Sequence, residues 1–446
     1  MNTPICDFVK EYAKSKALRL HMPGHKGKSF LGGEALDITE IDGADVLYNA
    51  NGIILESERN ASSLFGTCAT FYSCEGSSLA IRAMLYLAAS HAALLGKKPL
   101  IAAGRNAHKV FLTAAALLDI ETVWIFPKEQ KSVVSCEITA EYLEEYLENS
   151  TDRPTALYIT SPDYLGNVAD VEGIAKVCHR YGILLLVDNA HGAYLNFLPE
   201  SKHPIALGAD ACCDSAHKTL PVLTGGAYLH ISHSAPKIFC EKAQSALSLF
   251  ASTSPSYLIL QSLDYANKYL SQGYCERLSE FVIKVRSLKE RLVGSGYTFT
   301  GDEPLKLTVS AKPYGYYGYE LADLLLKQGI VCEFSDPDYL VMMLTPENDD
   351  VDLMCLESAL SGIKKLMPIE ERMPPMPLPE RRLSPRQAMF LSSITKNVSE
   401  CEGKILASAT VSCPPAVPVV VCGEVISKEA IKLFEYYGIK TCEVIK

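Results

Sequence analysis

The chain has 446 residues, 48% of them hydrophobic, with 42 Lys plus Arg against 52 Asp plus Glu for a formal charge of −10. A chain of this length buries large cores and divides into two or three domains, and its composition is not that of a disordered protein. The acidic balance, with no block of like charge, argues against general nucleic-acid or membrane-surface binding.

The first twenty residues, MNTPICDFVKEYAKSKALRL, predict a short amphipathic helix with no apolar signal core. Residues to about 60 then read as irregular and glycine-rich, through HMPGHKG and IDGADVLYNANG. FYSCEG (71–76) predicts a strand and a glycine turn, and the apolar run 77–96 a buried helix. Strand-length apolar runs follow at 98–104, 155–160, 182–188 and 225–231, with a helix expected at 168–182 and a strand then a turn across GADACCDSA (208–216). Continuous apolar strands alternating with helices predict a mainly parallel sheet covered on both faces.

Helical periodicity dominates from about 235 to 292. A compact second α/β unit is expected next, with strand-like stretches at 297–311 and 330–344 and helices at 319–329 and 351–366. Residues 367–387 form a Pro-rich linker, and a short strand-and-loop unit is expected around 409–427. The domain division is therefore 1–295, 296–367 and 368–446. No apolar run approaches the roughly 20 residues of a spanning helix, so the expected location is cytoplasmic.

Fifteen cysteines are scattered singly apart from Cys212–Cys213, with no CxxC pair. They predict reduced, mostly buried thiols. No cluster has zinc spacing, so no metal is expected. His21 and His25 stand four apart, but Pro23–Gly24 between them forbids a helix.

Three features carry chemistry together. Asp188 ends the apolar strand ILLLVD; an acid there is either a helix cap or a site residue, because ligands collect at the carboxyl ends of parallel strands. Lys218, in DSAHKTLPVLTGG, follows another strand and stands beside Ser215 and His217. CEGSSLA (74–80) opens a buried helix with a glycine and two hydroxyls, a setting for phosphate, although Ser77 alone could simply be an N-cap. A lysine for a Schiff base, an aspartate to keep a pyridine nitrogen protonated and a phosphate cradle are what pyridoxal 5'-phosphate needs.

HMPGHKG, RNAHK, DNAHGAY, DSAHKTLPVLTGG and TSPSYLILQSLD occur in order, followed by a C-terminal CPPAVP…GE. In these blocks the chain resembles the bacterial ornithine/lysine/arginine decarboxylases. The resemblance implies a fold-type-I, aspartate-aminotransferase-like large domain with a seven-stranded sheet, a small α/β domain and a C-terminal α+β unit. It implies decarboxylation of arginine, lysine or ornithine on pyridoxal 5'-phosphate. Lys218 would be the Schiff-base lysine and Asp188 the pyridinium partner. His108 would stack on the ring and His191 lie close to it. Gly76, Ser77 and Ser78 would hold the phosphate, with contacts from Ser215 and His217. Thr253 and Ser254 would reach the phosphate of a neighbouring subunit in a homodimer or tetramer. His25 and Lys26 either border the site or serve the architecture of their loop.

The chain departs from the family pattern at Asn189, where many members have Glu, and at Cys413 and Ala416, where many have Tyr and Gly. HMPGHKG begins at residue 21, so the N-terminal wing of the larger members is not expected. Transamination or another lyase outcome, and a non-catalytic paralogue, are the alternatives. Residues 297–366 lack the arginine an aminotransferase would use for the substrate carboxylate, and Lys218 and Asp188 are both present.

Overall fold

The computed structural model describes residues 1–129, 132–408 and 417–446. Its large sheet has seven strands: β1 (Ala69–Ser73), β2 (Leu100–Gly104), β3 (Glu121–Ile125), β4 (Ala156–Thr160), β5 (Leu184–Asp188), β6 (Ala211–Asp214) and β7 (Ala227–Ile231). They lie in the order β1-β7-β6-β5-β4-β2-β3. β5 and β6 run parallel, with Asp188 opposite Cys213. β7 runs antiparallel to both β6 and β1. The link between β6 and β7 contains only the short helix Ala216–Thr219, too little for the long crossover a parallel return needs. β6 and β7 are buried along their whole length, which is why their sequences run apolar instead of alternating.

The first four helices are α1 (Pro4–Lys14), α2 (Ile53–Phe65), α3 (Gly76–Leu94) and α4 (Lys109–Leu117). α2 corrects the reading of residues to 60 as irregular after the first helix. Its inward stripe is Ile54, Ser57, Glu58, Ala61 and Phe65. Two of these five are polar, so hydropathy alone does not reveal the face. Ser57 is buried by donating to Asp264 (2.6 Å), and Glu58 by accepting the Tyr72 N–H (2.9 Å).

The chain forms two compact units: residues 1–100, 143–159 and 170–276, and residues 101–142, 160–169 and 277–446. The second contains a four-stranded antiparallel sheet of β8 (Phe299–Thr300), β9 (Lys306–Ser310), β10 (Phe334–Ser335) and β11 (Tyr339–Met343), and a pair β12 (Ser393–Asn397) and β13 (Thr441–Ile445). β12 has no fully buried residue, so its sequence gives no apolar signal. Of the strand-and-loop unit expected around 409–427, residues 409–416 lie outside the described residues, and the described remainder has isolated bridges at Glu424 (to Arg381) and Val425 (to Ile405). Cys413 and Ala416 lie outside the described residues. The Pro-rich stretch is pinned by an Arg381–Glu424 bridge and ends in the helix Pro385–Phe390.

No helix among the described residues is long and apolar enough to cross a membrane. All fourteen described cysteines are free thiols, but only seven are buried, fewer than the expected majority.

Candidate active site

The carboxyl ends of β5 and β6 set the site. Asp188, the last residue of β5, is 3% exposed. Its Oδ2 accepts the Tyr158 hydroxyl at 2.9 Å, and its Oδ1 accepts the Ala190 N–H at 3.2 Å and faces the Cys213 thiol at 3.6 Å. Burial first, then the Asp188 charge, pushes both Tyr158 and Cys213 well above their ordinary pKa. Both therefore stay protonated and act as donors. These donors fix the orientation of the Asp188 carboxyl group. Asp188 does not cap the helical turn that follows, whose N-cap is Gly192.

β6 ends at Asp214, and the chain turns at once through Ser215 into the helix Ala216–Thr219, which carries His217 and Lys218. Lys218 Nζ lies 3.0 Å from His191 Nε2, a half-buried amine beside a buried ring. His217 is tied to its own loop: its N–H and its Nδ1 both meet the Gly226 carbonyl, at 3.2 and 2.9 Å.

The phosphate-type cradle is formed by α3 and this turn. Gly76 opens α3 with φ +69°, and a Cβ placed on it meets nothing within 4 Å. Glu75 at the N-cap makes no side-chain cap, since its carboxylate accepts the Ser252 N–H at 2.6 Å. The first turn of α3 therefore has no side-chain cap, and there is open space beside Gly76. Ser215 donates to Ser77 at 2.8 Å, and Gly76 N–H donates to the Gly225 carbonyl at 2.7 Å, so the cradle is tied to the lysine's own loop. Ser78 is in the same turn, half-buried.

Thr253 and Ser254 are exposed in the loop that Glu75 holds, where Ser254 N–H donates to Ser252 Oγ at 3.1 Å. His108 is the N-cap of α4, its Nδ1 accepting the Val110 N–H at 3.2 Å, which leaves the ring proton on Nε2. In the N-terminal loop His25 pairs with Asp37 (3.2 Å) and accepts the Gly27 N–H (3.0 Å), while Lys26 donates to the His21 carbonyl (2.5 Å). These bonds close within the loop and serve its architecture.

The fold also assembles a buried group that sequence spacing hides. Asp214 Oδ2 lies 3.1 Å from His203 Nε2 and 3.2 Å from His230 Nε2, and Oδ1 accepts the Asn189 amide at 2.6 Å. The two histidines and the aspartate offer ligand atoms within 4.8 Å of one another, which no zinc-type spacing in the sequence announced. Tyr158 was missed for the same reason: only the sheet places it beside Asp188.

Pyridoxal phosphate fits this donor set. The uncapped helix terminus suits a phosphate, the buried Asp188 carboxyl group suits a pyridine nitrogen, and the half-buried amine suits an aldehyde. Among solved structures, the chain is similar to the lysine decarboxylase LdcF of Francisella novicida (TM-score 0.81, 18% identity, 100% of this chain and 81% of that one). It is also similar to lysine decarboxylase A of Pseudomonas aeruginosa (TM-score 0.81, 17% identity, 99% and 80%) and to a serine palmitoyltransferase of Sphingomonas wittichii (TM-score 0.57, 15% identity, 80% and 82%). The class of fold is thus that of the fold-type-I enzymes. The family model for the Orn/Lys/Arg decarboxylase major domain matches residues 3–300. The chain belongs to that family and is an amino-acid decarboxylase. An arginine decarboxylase of Bacillus subtilis is 30% identical over 467 residues, covering 96% of this chain and 92% of the relative. The uncharacterised Bacillus subtilis protein YaaO is 29% identical over 474 residues, covering 99% and 95%.

Proposed function

We propose that this enzyme decarboxylates a basic amino acid, arginine, lysine or ornithine, to the corresponding amine, with Lys218 and Asp188 at the reacting centre. The observation that carries the reading is the pair of adjacent parallel strand ends, one giving the donor-ringed Asp188 and the other leading into the Lys218 turn. The family match and the arginine decarboxylase relatives support the substrate class.

When bound, pyridoxal phosphate supplies a cationic ring that takes up the electrons left behind as carbon dioxide departs. Lys218 provides the amine that anchors the cofactor. Asp188 would keep the proton on the ring nitrogen, its carboxyl group oriented by Tyr158 and Cys213. His191, 3.0 Å from Lys218 Nζ, is placed to take a proton from that amine or return it. The first turn of α3, with Ser77, Ser78 and Ser215, binds the phosphate. Working assignments are 1–295 for cofactor binding, 296–367 for a small domain and 368–446 for a C-terminal unit. A homodimer in the cytoplasm, with Thr253 and Ser254 reaching a second copy's phosphate, completes the reading.

The test is a purified holoenzyme treated with borohydride. A yellow protein whose cofactor is trapped on Lys218, and which is colourless as Lys218→Ala, is the expected result. Carbon dioxide release from arginine, lysine or ornithine, and not from other amino acids, is expected in a substrate panel. A wild-type protein that neither binds nor traps the cofactor would refute the assignment.

A further inference from the structure

The group around Asp214 has no part in the chemistry above, yet Asp214 is itself the end of β6 and Asn189 follows directly on Asp188, the end of β5. The parallel register pairs Asp188 with Cys213. Side chains alternate along a strand, so the next residues, Asn189 and Asp214, face the opposite side of the sheet. There the Asn189 amide donates to Asp214 Oδ1 at 2.6 Å, and the Asn189 N–H donates to the Cys213 carbonyl at 3.0 Å. The two strand ends are therefore joined twice just beyond the site.

Asp214 is fully buried, and such a charge is tolerated only when saturated with donors. Its environment meets that demand. His203 and His230 present Nε2 to Oδ2, the Asn189 amide presents N–H to Oδ1, and His230 is held from behind by Thr70 Oγ1 at 2.8 Å from its Nδ1. His203, His230 and Asn189 all show no exposure. The amide oxygen of Asn189 has no hydrogen-bond partner, so it is the NH2 end that is in use. A carboxylate at position 189 would face the Asp214 carboxylate across that short gap, and one of the two would have to carry a proton.

We propose that Asn189, Asp214, His203 and His230 form a buried positioning unit that locks the ends of β5 and β6 together and so holds Asp188 in place relative to the Lys218 turn. Position 189 in this chain is required to be a neutral donor because Asp214 is its acceptor. This explains the departure at Asn189 without any loss of site chemistry. The inference rests on the roles given to Lys218 and Asp188.

The experiment compares wild type with Asn189→Asp, Asn189→Ala and the swap Asn189→Asp/Asp214→Asn, which reverses donor and acceptor while keeping the bond. The readouts are pyridoxal phosphate affinity by titration, the visible band of the lysine-bound cofactor and the acid–base midpoint of that band. Thermal melting reports folding separately. Loss of a hydrogen bond to a buried charge is expected to weaken cofactor binding about tenfold or more in Asn189→Asp and to move the midpoint, with Asn189→Ala intermediate and the swap recovering part of both. If Asn189→Asp does not fold, Asn189→Ala and the swap carry the comparison. Folded single variants with unchanged band, midpoint and affinity would overturn the inference while leaving the Lys218 assignment intact. A wild-type protein with no cofactor band would remove the underlying reading instead. One zinc ion per purified chain, lost in His203→Gln, would replace the positioning unit with a metal site and overturn it too.

Discussion

Glu58 offers the sharpest test of the energetics. It is 3% exposed on α2, its Oε1 accepts the Tyr72 N–H, and its Oε2 has no partner. Burial dominates, the Tyr72 N–H opposes it and Asp45 adds to it, and the carboxyl is pushed up from 4.5 to about 8. A folded pKa above the unfolded one means the folded chain holds the extra proton between those values. The contribution of Glu58 is then fully present below about pH 4.5 and is lost as pH rises through about 8. The shift is 8 − 4.5 = 3.5 units, which at 1.36 kcal/mol per unit bounds the loss at about 5 kcal/mol. Glu58→Gln keeps shape and acceptor but cannot ionise. Urea unfolding at about pH 5, 7 and 9 is expected to give similar stability at the acid end, with the variant more stable by about 3–5 kcal/mol at the alkaline end. Asp336, pushed up to about 7 chiefly by burial, gives a slope of the same sign in both proteins and cancels in the difference. Two parallel curves across the range would refute the account of Glu58 as a buried, proton-holding acid.

Arg105→Ala is expected to cost about 3–5 kcal/mol in urea unfolding, because it strips Glu424 of its 2.8 Å partner in a fully buried pair; Arg105→Met/Glu424→Leu should recover most of it. Gly225→Ala is expected to cost about 1–3 kcal/mol, since φ is +100° and the new Cβ would lie 2.8 Å from the Cys74 carbonyl oxygen; the melting temperature and cofactor retention on dialysis should fall together. Tyr158→Phe is expected to cost about 1.5–3 kcal/mol by denaturant titration, because it removes a hydrogen bond to the buried Asp188 carboxylate.

Six of the seven strands of the large sheet were readable as short, mainly apolar runs that end in a turn, whereas β3, with only Thr122 and Ile125 buried, was not. The chemistry was readable for a related reason: Asp188, Lys218 and the Gly76–Ser78 turn each follow a strand end, and that position follows from local pattern. Local pattern failed where burial is polar. α2 hides its inward face behind Ser57 and Glu58, and β12 has no fully buried residue to betray it.

What the sequence by itself determined is therefore the type of scaffold, together with the candidate residues Lys218, Asp188 and Gly76–Ser78 proposed for the cofactor, since both are written in short contiguous stretches. The tertiary structure alone decided which side chains complete the site. Tyr158, Cys213 and Asp188 meet because β4, β5 and β6 are neighbours in the sheet, and Asn189 meets Asp214 because the parallel register sets them one step further along. His203 and His230 come from the segment before β6 and from β7, 27 residues apart, and converge on one carboxylate oxygen. A hydrogen-bond partner in a sheet is chosen by strand order and register, and neither quantity is encoded in any local window of the chain.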